Sequence, residues 1–403
     1  MAMPLTQSGE RSRAYARAEL AYLRATDERH APVQALLAED PGSIPAWLLA
    51  IGKRVAAKDA NVLPGLAAAL QSAAPLERAA TDAERAHFAA ARAWLAHEPL
   101  RAAHVYSRIA RSSPRDLLAL RLAQSCWYFL GHRTRVRVVA ERALRDWPPA
   151  APGYDVVLAM AAFGRAETGD GRGAAALAER ALALEPRSPF ARHALAHGLA
   201  AQGRVVTAHH MLEDSAALWR VGGRMDTHNA WHQALYGLDL GRSRAALAAF
   251  DREFAAASDT GDCADATDLL WRLDLAGVDT GVRWQPLAAA WARSLTPGFW
   301  GFLDVLAGIA FQRAGRSSDA HALRRALASS RTQASMSATA AASRTALAAI
   351  DAFTQGDHAH ACGLLQSALP RLGGSLAQRE LLELTLAAAQ RRADGECLVA
   401  EAA

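Results

Sequence analysis

The chain has 403 residues, 51% hydrophobic, 21% charged and only 6% aromatic, with a net charge of +5. That apolar content suffices for a large core or an extended repeat array, and the dominance of Ala and Leu over aromatics favours helix over sheet. No apolar run reaches the roughly 18 residues a membrane span needs, and the opening MAMPLTQSGERSRAYARAEL puts charges where a secretory signal needs an apolar core, so a cytoplasmic protein is expected.

Tyr15, Leu20 and Leu23 set the spacing of a first amphipathic helix over 12–24. Helical periodicity resumes at 32–39, 44–57 and 63–73, interrupted by Asp40-Pro41 and Pro64. Thr81 to Glu84 reads as a capping box opening a helix that runs to Leu95. A second helix over 100–112 follows, closed by Pro114.

From there one unit recurs: helix, a turn centred on glycine, helix, then a breaker. The turn glycines are Gly131, Gly169, Gly203, Gly241, Gly315 and Gly356, separated by 38, 34, 38, 74 and 41 residues. The interval of 74 is two steps, with a hidden unit around 263–292. Helical hairpins at this period predict an all-α, tetratricopeptide-like α-solenoid, because one hairpin cannot bury its own apolar face and must stack on its neighbours. The first helix of each hairpin is expected to line a concave groove. Three regions result: an N-terminal helical region 1–80, repeats with a histidine-bearing groove at 81–327, and a hairpin with a capping helix at 328–403. The Ser-, Thr- and Ala-rich stretch 328–345 is the softest internal boundary. Leu381, Leu384 and Ala388 mark the capping helix.

Two histidine pairs stand out. His193/His197 and His228/His232 each have i, i+4 spacing, which puts both rings on one helix face. The pairs lie 35 residues apart, about one repeat, on first helices just before Gly203 and Gly241. Four imidazoles on neighbouring helices could bind a transition metal, with Asp265 or Asp268 as a carboxylate ligand and Glu167, Asp226 or Asp239 as acceptors behind the rings. Ala194 follows His193 where the zinc-protease pattern requires Glu, so that class is excluded. The competing reading is a polar seam in which these histidines bond neighbouring helices. Phe163 and Glu167, four apart on the preceding first helix, are expected to face the same groove. Asn229 and Trp231 flank the second pair, and Arg272 is either a carboxylate clamp or the ion-pair partner of Asp268 four residues earlier. His209 and His210 are expected to be solvated.

The phrases AERAHFAAARAWL (83–95), SPRDLLALRLAQSCWYFLG (113–131), HALAHGLAAQGR (193–204), THNAWHQALYGLDLGR (227–242) and GGSLAQRELLELTL (373–386) resemble the tetratricopeptide repeat protein 38 family over nearly the whole chain. The HNxWH element followed by Trp-Arg-Leu is its most distinctive part. The resemblance implies an α-solenoid and carries no defined activity. Gln124, Ala200, Gly237 and Leu376 stand where the family tends to have His, Glu, His and His, so the two central pairs are what is kept.

Cys126, Cys263, Cys362 and Cys397 lie far apart and offer neither a zinc knuckle nor a disulfide framework. Lys53 and Lys58 are the only lysines, and the arginines are spread among helices, so no nucleic-acid partner is expected. Two readings stand. One is a small-molecule pocket centred on the histidines, as an enzyme using His acid–base or metal-assisted chemistry or as a binder; the other is a scaffold for a peptide or protein.

Overall fold

A computed structural model describes residues 5–26, 31–329, 334–369 and 372–395. Among the described residues every regular element is helical, twenty-two α-helices and three short 3-10 turns. They group into two compact units, 1–58 with 62–229 and 59–61 with 230–403. Within each, consecutive helices pair and stack as the repeat period requires. No helix among the described residues is long and apolar enough to cross a membrane.

The turns explain the glycine spacing. Between helices Tyr154–Ala166 and Gly171–Leu184, Gly169 sits at φ 85°. Its N–H reaches Ala166 O, and the Asp170 N–H reaches Arg165 O at 3.0 Å. This closes a helix end in the left-handed manner that disfavours a Cβ. All six predicted turn glycines have positive φ. The hidden unit turns at Gly277, φ 79°, between helices Thr260–Leu275 and Trp284–Ser294. One earlier hairpin, Asp82–Leu95 with Pro99–Ser112, turns instead on His97 at φ 60°. No glycine marks it. The capping box at its start is present: the Thr81 N–H bonds Glu84 Oε2 at 2.8 Å, and the Glu84 N–H bonds Thr81 Oγ1 at 3.3 Å.

In the first unit, helix Pro189–Ala200 packs against both Tyr154–Ala166 and Gly171–Leu184 and buries every residue from Pro189 to Leu199. Close approach is possible because Gly198 has no side chain; a Cβ there would meet Ala175 N at 2.8 Å and Ala174 Cβ at 3.1 Å. Gln124, one of the family departures, spans two more helices by donating to Val136 O (3.3 Å) and Met160 O (2.9 Å).

In the second unit, helix Thr260–Leu275 packs against Trp284–Ser294, Gly301–Arg313 and Leu376–Ala393. Trp271 Nε1 donates to Thr385 Oγ1 at 2.9 Å, and Trp291 Nε1 to Thr267 Oγ1 at 2.8 Å. The expected capping helix is Leu376–Ala393, opened by a Ser375/Gln378 capping box. The soft stretch 328–345 lies partly outside the described residues, and so does Cys397. Cys126, Cys263 and Cys362 are free thiols.

Candidate functional site

Ser188 caps helix Pro189–Ala200 by accepting the Ala191 N–H at 3.1 Å, and Pro189 at its start needs no N–H partner. That fixes His193 and His197 one turn apart on a helix buried from Pro189 to Leu199, 5% and 7% exposed. Their Nε2 atoms stand 3.0 Å apart, with ring centroids at 4.4 Å.

Helix Tyr154–Ala166 supplies the wall. Phe163 lies 5.5 Å from the His193 ring and 5.4 Å from that of His197. One turn on, at the helix C-cap, the buried Glu167 places Oε1 3.4 Å from His197 Nδ1. Helix Arg224–Asp239 brings the half-buried His228 ring to 4.9 Å from His193. Beside it Asn229 donates to Pro189 O at 3.2 Å and ties the two helices together. Phe163, Glu167, His193, His197, His228 and Asn229 therefore meet within the first unit.

Burial pushes the His193 pKa well below the usual imidazole value, and His197, His228, Arg121 and Arg224 push it the same way. At neutral pH this ring is uncharged and offers a lone pair. Two Nε2 atoms at 3.0 Å can share a proton or converge on a cation.

Trp231, His232, Asp239, Asp265, Asp268 and Arg272 belong to the second unit. His232, one turn beyond His228 on the same helix, stacks on Tyr236 at 5.8 Å and meets Trp231 edge-on at 4.5 Å. Asp265 is buried on helix Thr260–Leu275. Arg272, on that helix, places Nε 3.1 and 3.0 Å from the Asp268 carboxylate and Nη1 2.9 Å from Glu380 Oε2. It also donates to the Ala377 carbonyl, so its donors hold Leu376–Ala393 against Thr260–Leu275. Burial raises Asp268 to about 7 although Arg272 draws it down.

Of the acceptors expected behind the rings, Glu167 is the one against a histidine. Asp226 instead accepts the Gly222 N–H at 2.7 Å, and Asp239 is exposed. His209 departs from the sequence reading. It is 7% exposed, because on helix Val205–Asp214 it shares the buried side with Ala208 and Leu212, whereas His210 is exposed. Phe190 and Arg121 were not among the sequence candidates. Phe190 stacks with His193 at 6.2 Å, and the Arg121 guanidinium lies 4.4 Å over the Phe190 ring. The i, i+3 spacing of Phe190 and His193 is the signal that could have found the first; nothing local points to Arg121.

No family model matches the chain. Solved structures similar to it include the Cut9–Hcn1 hetero-tetramer of the APC/C, at 13% identity and TM-score 0.42 over 85% of this chain. The chain spans 63% of that structure's length. Others are a Rap protein complexed with competence and sporulation factor, at 12% identity and TM-score 0.47 over 83% of this chain and 100% of that one, and the human IFIT1 dimer with m7Gppp-AAAA, at 12% and 0.44 over 85% and 83%. At these scores the likeness adds nothing to what the helix pairing already shows.

Proposed function

We propose that this is a small-molecule-binding helical-repeat protein whose site is centred on His193, His197 and His228, and that these imidazoles hold a transition-metal ion. The carrying observation is the 3.0 Å separation of the two Nε2 atoms, with Glu167 behind His197. Two nitrogens on one tetrahedral zinc, each at about 2.0–2.1 Å, stand about 3.3 Å apart, so the rings need only a small adjustment. A carboxylate at Nδ1 fixes the tautomer that leaves Nε2 to the metal. The neutral His193 ring supplies the lone pair that ligation requires.

If the centre is catalytic, its chemistry is metal-assisted, with an imidazole as general base. The kinship to the tetratricopeptide repeat protein 38 family, carried by the HNAWH phrase at 228–232, and a cytoplasmic setting belong to the same proposal. Titration of tag-free protein with Co2+ tests it. A visible ligand-field band of a tetrahedral site, absent from His193→Ala at unchanged helical circular dichroism, is expected. Absence of the band in the wild-type protein would leave the helical-repeat fold as a scaffold for a peptide or protein partner.

A further inference from the structure

A cavity of about 750 Å3 opens elsewhere in the first unit, among helices Leu5–Arg24, Ile44–Ala57 and Asp82–Leu95, the turn 113–116 and the start of helix Leu117–Phe129. One wall is apolar, made by Leu48, Leu117 and Leu118. The carboxyl groups of Glu19, Glu84, Asp116 and Asp146 line it against a single guanidinium, that of Arg115.

Two of these carboxyl groups are engaged in capping helix starts. Asp116 Oδ1 accepts the Ala119 N–H at 2.7 Å, capping its helix, and Oδ2 lies 2.8 Å from Nε2 of the buried His87. Glu84 Oε2 accepts the N–H and the hydroxyl of Thr81 at 2.8 and 2.9 Å. Glu19 is different. It accepts the Tyr15 hydroxyl at 2.9 Å, and the nearby His87 ring draws its carboxyl down. Burial pushes its carboxyl up to about 7, with Tyr15 drawing it down and Asp116 pushing it further up. A carboxyl withdrawn from water without a strong counter-charge is the group a cationic ligand would neutralise.

We propose that this cavity binds a small organic cation, an amine on an apolar body, with Glu19 as counter-ion and the leucine wall against the body. The volume lies within the usual range of small-molecule sites. A bare divalent cation suits it less, since such ions need converging oxygens and those of Asp116 and Glu84 are already engaged in capping. This site is independent of the histidine cluster.

The test uses the full chain, with phenethylamine as probe, hydrocinnamate as its carboxylate counterpart and Mg2+ as a bare cation, each read by calorimetry and thermal shift at millimolar concentration. Phenethylamine is expected to bind and to raise the Tm; hydrocinnamate and Mg2+ are expected to do neither. Glu19→Gln should weaken amine binding about tenfold or more, whereas His193→Ala should leave it unchanged. The preference for amine over carboxylate is read on the wild-type protein and holds even if a variant fails to fold. No amine binding, equal binding of hydrocinnamate, or undiminished binding by folded Glu19→Gln would each overturn the proposal.

Discussion

His197 presents its two ring nitrogens to two different partners: Nε2 lies 3.0 Å from His193 Nε2, and Nδ1 lies 3.4 Å from Glu167 Oε1. The first contact gathers nitrogens at one point, and the second orients the ring that provides one of them. Glu167→Gln keeps the shape of the side chain and removes its charge. It should lower Zn2+ affinity about 10- to 100-fold, as loss of a supporting carboxylate typically does. Competition against a chromogenic chelator measures this, and an unchanged affinity would remove Glu167 from the site.

The helix that carries this pair depends on a missing side chain. At Gly198 a Cβ would lie 2.8 Å from a backbone nitrogen of the neighbouring helix, an atom that cannot swing aside. Gly198→Ala should therefore cost about 1–3 kcal/mol in urea unfolding, despite the better helix propensity of Ala. A neutral or stabilising effect would mean that the two helices can separate freely.

Arg272 gives a prediction about the second unit. Truncating it to Met leaves Asp268 buried beside no guanidinium, which should cost about 3–5 kcal/mol. Adding Asp268→Leu should recover part of that loss, since replacing both partners of a buried pair by apolar groups is far cheaper than breaking it. A residue that clamps a ligand carboxylate would behave otherwise, losing binding in Arg272→Met with little change in stability.

Asp304 supplies a pH dependence. It accepts the Gly298 N–H at 3.0 and 3.2 Å, yet burial raises its carboxyl to about 7 against that bond. A carboxyl whose pKa is higher in the folded chain than in the unfolded one stabilises the fold fully below the unfolded value of about 3.9. That contribution is lost as pH rises through about 7. Asp304→Asn should therefore gain on the wild-type protein across this window by up to about 1.4 kcal/mol per pH unit, levelling off above it. Parallel stability–pH curves for the two proteins would contradict this.

The repeat was legible because left-handed turn positions select glycine, so Gly131, Gly169, Gly203, Gly241, Gly315 and Gly356 print the hairpin period in the sequence. Where His97 takes that conformation the mark disappears, and Gly277 was hidden only because its turn was not identified inside the double interval. The histidine pairs were legible through i, i+4 spacing, and Glu167 through its place one turn after Phe163. Exposure was less so: His209 and His210 are neighbours, and a single helical step of about 100° decides which is buried. The cavity at Glu19 left no sequence signal, since Tyr15, His87 and Asp116 meet there from three separate parts of the chain.

Elemental analysis of purified, tag-free protein, beside the same analysis of His193→Ala/His197→Ala, tests the metal-site account most directly. The account predicts about one equivalent of a transition metal per chain, lost from the double variant at unchanged helical content. Protein that holds no metal after growth and dialysis with Zn, Fe, Mn, Ni and Cu would contradict it.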